Sequence, residues 1–376
     1  MLQLGLALQE LGHRVMVACH DFDPETTPDR AAERLDIRAI RRGEVIPPVA
    51  RGELLRRQWR GMPAVARLVP DEVDVVNAHE WPASRAARLN GAVWVWTRND
   101  DTAWERGLIP ETTLFEKPSL PGRLARLVAG VPDVVDARSA ASIVVLDRRN
   151  ADAVRKAYHR DAEILRCGPP EMFFDPPERA AARRRFGVDE HTFLAAAVGV
   201  LFPHRRFEDL VRAAAGLPAE LRVGVRIVGS DQQDGAYADM LEGLAAEAGD
   251  RVRLERRAIP QDDLRDLYAA ADVMVFPNRR QAYGLAPLEA LAGGTPVILS
   301  TGIGVGEVLA GRPGVLMVPP ESPDEIAAAL RIAIETDLRS AATGTREWMR
   351  TQLSNRRYAE RMVEIYEEAL GRRRFA

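Results

Sequence analysis

Cysteine is scarce. Cys19 and Cys167 are the only two in 376 residues, which excludes a disulfide framework and a cysteine-rich zinc site and suits a reducing, cytoplasmic setting. Lysine is scarcer still for a chain with 52 basic residues: Lys117 and Lys156 alone, an arginine bias that reflects a GC-rich genome rather than chemistry. Positive charge does not prevail, since the formal net charge is -3, and a nucleic-acid binder held by a basic field is not expected. No uninterrupted apolar run is long enough to span a bilayer, and no signal peptide is recognisable. What remains is the profile of a soluble globular protein, 46% hydrophobic and 28% charged, too long for one comfortable core. Two domains are expected.

The opening stretch LQLGLALQELGHRVMVAC predicts an amphipathic helix stopped at Gly12, then a strand over Arg14–Cys19. An α/β domain usually opens with a strand and a glycine turn ahead of such a helix. Here Met1 stands where that strand should already have ended, so either the start lies upstream or the first strand is missing. Further strands are expected at Val73–Ala78, Ala92–Thr97 and Ala141–Asp147, short and densely apolar as parallel strands covered on both faces are. Four prolines then crowd CGPPEMFFDPPE, which reads as a domain linker. Beyond it strands and helices alternate strictly, from FLAAAVGVL to PDEIAAALRIAIE, implying a second doubly wound parallel sheet. Ligands of such sheets gather at the carboxyl ends of the strands.

The stretch RRQAYGLAPLEALAGGTPVILSTGIGVGEVL carries the densest signal. A strand ends at Asn278, Gly284 lets the chain turn, and a helix is expected to start near Leu285. Free N–H groups and the helix dipole suit such a start to a phosphate or diphosphate. Glu289, about one turn in, is placed to accept hydrogen bonds from vicinal hydroxyls such as those of a ribose. The alternative is an ordinary βαβ unit whose glycines serve only turns.

The same stretch resembles the signature of family 4 glycosyltransferases, retaining enzymes of the GT-B fold, in Gln281, Tyr283, Gly284, Leu285, Glu289, Ala290, Gly294, Pro296 and Val297. Other segments agree across nearly the whole chain, among them VVNAHEWPASRAA, VGVLFPHRRFEDLVRAA and DDLRDLYAAADVMVFPN. The resemblance implies an α/β protein of two facing Rossmann-like doubly wound domains, the first strand of the N-terminal one missing. The expected division is an acceptor-side domain over 1–168, a linker at 169–178, a nucleotide-sugar-binding domain over 179–352, and a C-terminal helix at 353–376 returning to the first domain.

Roles follow residue by residue. Glu289 matches the acid that binds the donor ribose, and the amides around Gly284 and Leu285, with Tyr283, match the diphosphate-facing turn. Arg205 stands where a lysine usually touches the diphosphate; a guanidinium clamps phosphate and stays charged, the alternative being a solvated arginine beside Arg206. Gln281 replaces an acid that contacts the transferred sugar: an amide still hydrogen-bonds but supplies no negative charge. Val200 replaces a phosphate-binding arginine, and Asn99 replaces a histidine. Gln281, Asn99 and Arg205 are the candidate catalytic residues. On the acceptor side, His79, Arg98 and Asp100 lie at strand ends, with His79 otherwise a structural histidine. The nucleobase is expected near the loop Arg256–Pro260.

The Asp21–Asp23 stretch DFD mimics a metal motif but reads as a loop, and neighbouring Cys19, His20, Asp21 and Asp23 on an extended chain point apart, so neither a metal nor a cofactor is expected. RGELLRRQWRG (Arg51–Gly61) is either a solvated basic helix or a peripheral contact with the inner face of a membrane. The resemblance thus implies front-face, retaining, metal-independent transfer from a nucleotide-diphospho-sugar to a sugar, glycolipid or polysaccharide-precursor acceptor. The alternative is a catalytically impaired GT-B subunit that binds nucleotide or a partner protein, suggested by the missing strand, Val200, Gln281 and Asn99 together. A nucleotide-sugar epimerase would need an acid/base set that the sequence does not display.

Overall fold

A computed structural model describes residues 1–23, 31–43, 57–109, 119–231 and 235–374. The chain divides into two units, Met1–Cys167 with Asn355–Ala376, and Gly168–Ser354.

The first unit carries six parallel strands in two sheets. β1 (Met16–Phe22) pairs with β2 (Asp36–Arg42), while β3 (Val75–His79), β4 (Val93–Thr97), β5 (Ser142–Val145) and β6 (Glu163–Ile164) follow in chain order in the second sheet. β4 and β5 are buried at every position, which is why their sequences are continuous apolar runs. Trp94, Trp96 and Tyr158 fill this core, the Trp96 and Tyr158 rings 6.0 Å apart. The opening helix Leu2–Glu10 ends as expected, with Gly12 in the left-handed region. The strand after it runs later than expected, to Phe22. Asp21 therefore pairs with Arg41 inside the ladder, and the DFD stretch is half strand rather than loop. Among the described residues, β1 and β3 each keep one edge without a strand partner. The helix Asn355–Arg374 closes the unit: it buries Tyr358, Met362, Ile365 and Ala369, and the Tyr366 hydroxyl accepts from Asn77 at 2.6 Å.

The second unit is one parallel sheet of β7 (Phe193–Val198), β8 (Val223–Gly229), β9 (Val252–Arg256), β10 (Val273–Phe276), β11 (Val297–Ser300) and β12 (Val315–Val318), in the order β12-β11-β10-β7-β8-β9. Strand order reverses between β7 and β10, the topological switch point at which such sheets open a crevice beyond their carboxyl ends. The proline-rich segment expected as a domain linker packs into this unit. Phe173 and Phe174 are buried, Phe173 lies 5.8 Å from the Tyr268 ring, and the Phe174 carbonyl accepts from Arg346. Two aromatic side chains outweigh the prolines there: burying them gains more than solvating the chain.

Candidate active site

The loops leaving β7 and β10 lie side by side at the switch point. Backbone conformation makes room for them. Gly199 sits at φ +148, and a Cβ there would stand 3.2 Å from the Arg205 guanidinium carbon. The missing side chain thus lets Arg205 lie against the main chain. The Arg279 N–H donates to the His204 carbonyl at 2.9 Å and ties the two loops together.

Arg205 Nη1 donates to Gln281 Oε1 at 2.5 Å, and Asn278 Nδ2 donates to the same oxygen. Arg205 Nε is enclosed without a partner, and no carboxylate pairs with the guanidinium among the described residues. Burial pushes its pKa down to about 10, so it remains a cation at neutral pH. The next residue has the opposite environment: Arg206 is neutralised by Glu208 and Asp209, both at 2.9 Å. Burial, then the cations Arg205 and Arg279, push His204 down to about 4, so its ring is neutral. Arg205 and Arg279 therefore leave a patch of positive potential at the end of β7.

After β10, Gln281 is held in place by its N–H to the Gly302 carbonyl, 3.0 Å, and by a bridge to Ile303. Gly284 has φ +82, and a Cβ there would lie 2.9 Å from Ile303 Cγ2 and 3.8 Å from Gln281 Cδ. The N–H groups of Gly284 and Leu285 donate to no protein acceptor among the described residues. The helix begins one residue after the expected start and is short, Ala286–Ala292 with Leu285 at its N-cap, so local amides contribute more than a long-helix dipole. Glu289 is half-buried one turn in; Tyr268 Oη donates to its Oε2 at 3.1 Å, and no cation faces it among the described residues. Burial pushes its carboxyl up to about 7. The Tyr283 ring is buried. Its carbonyl accepts from Val305 N–H at 2.7 Å and orders the turn.

The candidates in the first unit have mixed fates. Arg98 was expected to project from the end of β4, yet it is fully buried and ion-paired with Glu105, which closes a capping box with Thr102. Its charge is consumed in the core. Burial pushes His79 down to about 3, leaving a neutral imidazole. Asn99 is oriented by Glu80: its Nδ2 donates to Oε1 at 2.8 Å, while the N–H groups of Asn99 and Asp100 donate to Oε2 at 3.0 and 2.9 Å. Asn99 Oδ1 is left without a partner, and the Asp100 side chain is exposed.

These features can be set beside known proteins. The family described as "Glycosyl transferases group 1" matches residues 178–348. The D-inositol 3-phosphate glycosyltransferase of Thermobispora bispora is 32% identical over 81% of this chain and 72% of its own. That of Kineococcus radiotolerans is 30% identical over 82% and 74%. The chain belongs to the group 1 glycosyltransferases. Among solved structures, the sucrose-phosphate synthase of Thermosynechococcus elongatus superposes with a TM-score of 0.79 at 23% identity, covering 98% of this chain and 92% of that one. WaaG, a glycosyltransferase involved in lipopolysaccharide biosynthesis, gives 0.69 at 20%, covering 97% and 94%. Anabaena HepE, solved with UDP and glucose, gives 0.72 at 16%, covering 96% and 95%. The fold is GT-B, with two Rossmann-like units.

In this glycosyltransferase the β7–β10 junction gathers Arg205 and Gln281 beside Gly284, with Glu289 further along the same connection. Sequence reasoning missed Asn278, Arg279, His204, Tyr268 and Glu80. The Arg279–Arg280 pair directly after a strand was the readable signal; the others matter only through contacts made across loops. Arg256, at the edge of the loop expected to meet the base, is engaged by Asp231, Asp239 and Glu242. Among the described residues no cluster of three or more His, Cys, Asp or Glu is arranged to hold a metal ion. His20 Nδ1 instead pairs with Asp21 Oδ1 at 2.9 Å.

Proposed function

We propose that the second unit binds a nucleotide-diphospho-sugar and that the sugar passes with retention to a sugar, glycolipid or polysaccharide-precursor acceptor, without a metal or cofactor. The observation that carries this is Arg205, a half-buried guanidinium with no carboxylate partner, beside the unpaired N–H groups of Gly284 and Leu285. A site of donors without a counter-charge favours an anion, and a diphosphate leaving group gains charge as the glycosidic bond breaks. Glu289, oriented by Tyr268, accepts from the ribose hydroxyls through its remaining oxygen. In a front-face reaction the departing diphosphate takes the acceptor proton while Arg205 and Arg279 stabilise its charge.

Isothermal titration with UDP, GDP and ADP tests this. One nucleotide binds saturably, and both Glu289→Ala and Arg205→Met weaken it on the order of a hundredfold, as loss of a charge-assisted contact implies. A folded protein that binds none of the three sinks the reading. An acceptor screen then starts from D-inositol 3-phosphate, for which the curated relatives are named.

A second element adds to the peripheral-membrane reading. Residues 51–56 of the basic stretch lie outside the described residues, and the Trp59 ring further along it carries Arg85 4.3 Å from its centre while staying 53% exposed. The helix Leu120–Ser139 shows an apolar stripe of Leu120, Leu124, Val128, Val131 and Val135, 48 to 75% exposed and at helical spacing. Its two acids, Asp133 and Asp136, turn inward to Trp81 and Arg88, while Arg123 and Arg126 are half-exposed and Arg138 is exposed. Apolar side chains on a helix whose own exposed charges are arginines suit an anionic lipid surface. No described helix is long and apolar enough to cross a membrane.

A further inference from the structure

We infer that Gln281 meets the transferred sugar as a hydrogen-bond donor and selects nucleotide sugars that turn an oxygen able only to accept, a carboxylate or an acetamido carbonyl, toward it. The inference rests on the donor reading above and names the sugar class for that same site.

The orientation of the Gln281 amide decides the matter. A guanidinium has donors and no acceptor, so the atom of Gln281 that meets Arg205 Nη1 must be the oxygen. Asn278 brings a second donor, Nδ2, to that same oxygen. Turning the amide over would set its NH2 group against two donors, so the internal contacts exclude that arrangement. Oε1 is thereby committed to the protein, and Nε2 is the part of the amide left to a ligand. Among the described residues it has no protein acceptor, and it is not enclosed. The backbone does not let the residue swing away, since its N–H is bonded to Gly302 and it bridges to Ile303. The amide also lies beside Gly284, whose free N–H belongs to the anion-binding turn.

A carboxylate at this position would behave in the opposite way. It would pair with Arg205 through one oxygen and offer the other as an acceptor, favouring a hydroxyl that donates and repelling an acidic sugar. Gln281 does neither. It leaves the charge of Arg205 uncompensated and turns two N–H donors outward, an arrangement that gains most from a negatively charged or carbonyl oxygen. Asn278 is on this account a positioning residue that keeps the amide from flipping.

The test uses the full chain with UDP-glucose, UDP-glucuronic acid and UDP-N-acetylglucosamine, or the ADP or GDP series if that nucleotide is the one that binds. The intact protein binds the glucuronate or the acetamido sugar at least tenfold tighter than the plain hexose, and the favoured arm identifies which acceptor oxygen is used. Gln281→Ala brings the three within about twofold of one another. Gln281→Glu costs the glucuronate at least tenfold more than it costs glucose. Equal affinities in the intact protein, with nucleotide binding still lost in Glu289→Ala, overturn the inference and leave the donor site standing. A folded protein that binds no nucleotide at all overturns both.

Discussion

At the scale of single residues, Glu289 is the group of the candidate site whose charge changes near neutral pH. Its carboxyl is pushed up to about 7 by burial, with only the Tyr268 hydroxyl to favour the ionised form. If ribose hydroxyls donate to the carboxylate, as proposed above, nucleotide binding favours the ionised form and releases a proton. Affinity is therefore expected to fall by up to about tenfold per pH unit below 7, and a titration series from pH 5 to 8 measures it. Stability responds in the other sense. A carboxyl whose pKa is raised on folding contributes stability below its ordinary value of 4.5, and that contribution is lost as pH rises through about 7. Glu289→Gln should therefore melt above the parent at pH 8, by on the order of 2–3 kcal/mol of unfolding free energy, and level with it at pH 4. A parent that gains stability relative to the variant as pH rises contradicts the burial argument. The identity of Glu289 and its distance along the chain from Gln281 were legible in the sequence. Its lack of a neighbouring cation was not, because that depends on which side chains from other elements fail to reach it.

At the scale of elements, two glycines hold the β10 connection to the β11 connection. Gly284 needs φ +82 and has Ile303 against it, and a Cβ on Gly302 would stand 2.2 Å from the Arg279 carbonyl oxygen. Gly284→Ala is expected to cost about 1–3 kcal/mol, and Gly302→Ala more, because the clash is with backbone that has no rotamer to change. Urea denaturation measures both, and an unchanged midpoint in either would remove the close-approach argument. The Leu120–Ser139 helix makes a second prediction at this scale. Leu124→Glu combined with Val128→Glu should reduce co-sedimentation with phosphatidylglycerol vesicles several-fold and leave nucleotide affinity unaltered. Failure of the parent protein to sediment with those vesicles at low salt would end the membrane reading. The stripe escaped sequence reasoning because its spacing of three and four residues is that of any amphipathic helix. Only the structure shows that the inward face belongs to Gly130, Asp133, Asp136 and Ala137, leaving Leu120, Leu124, Val128, Val131 and Val135 outside.

At the scale of the whole molecule, all the groups of the candidate donor site belong to Gly168–Ser354, a single stretch of chain with its own core. The fragment 168–354 is expected to fold and to keep nucleotide affinity within about tenfold of the full chain while losing transfer. A fragment that stays unfolded would mean that the unit depends on the rest of the chain. The first unit has no such independence, since it takes its last helix from Asn355–Arg374. The sequence by itself determined the alternation of strands and helices, the doubly wound second sheet and the glycine turns. Those features depend on burial patterns and backbone conformations that neighbouring residues impose on one another. Which charges are spent and which stay available was decided by the tertiary structure alone. Arg98 and Arg205 both follow closely on a parallel strand, and nothing local separates them. One folds inward onto Glu105, while the other lies across Gly199 against a neutral glutamine. Charge compensation is a property of the loops that meet in space, and it made one arginine structural and left the other able to bind an anion.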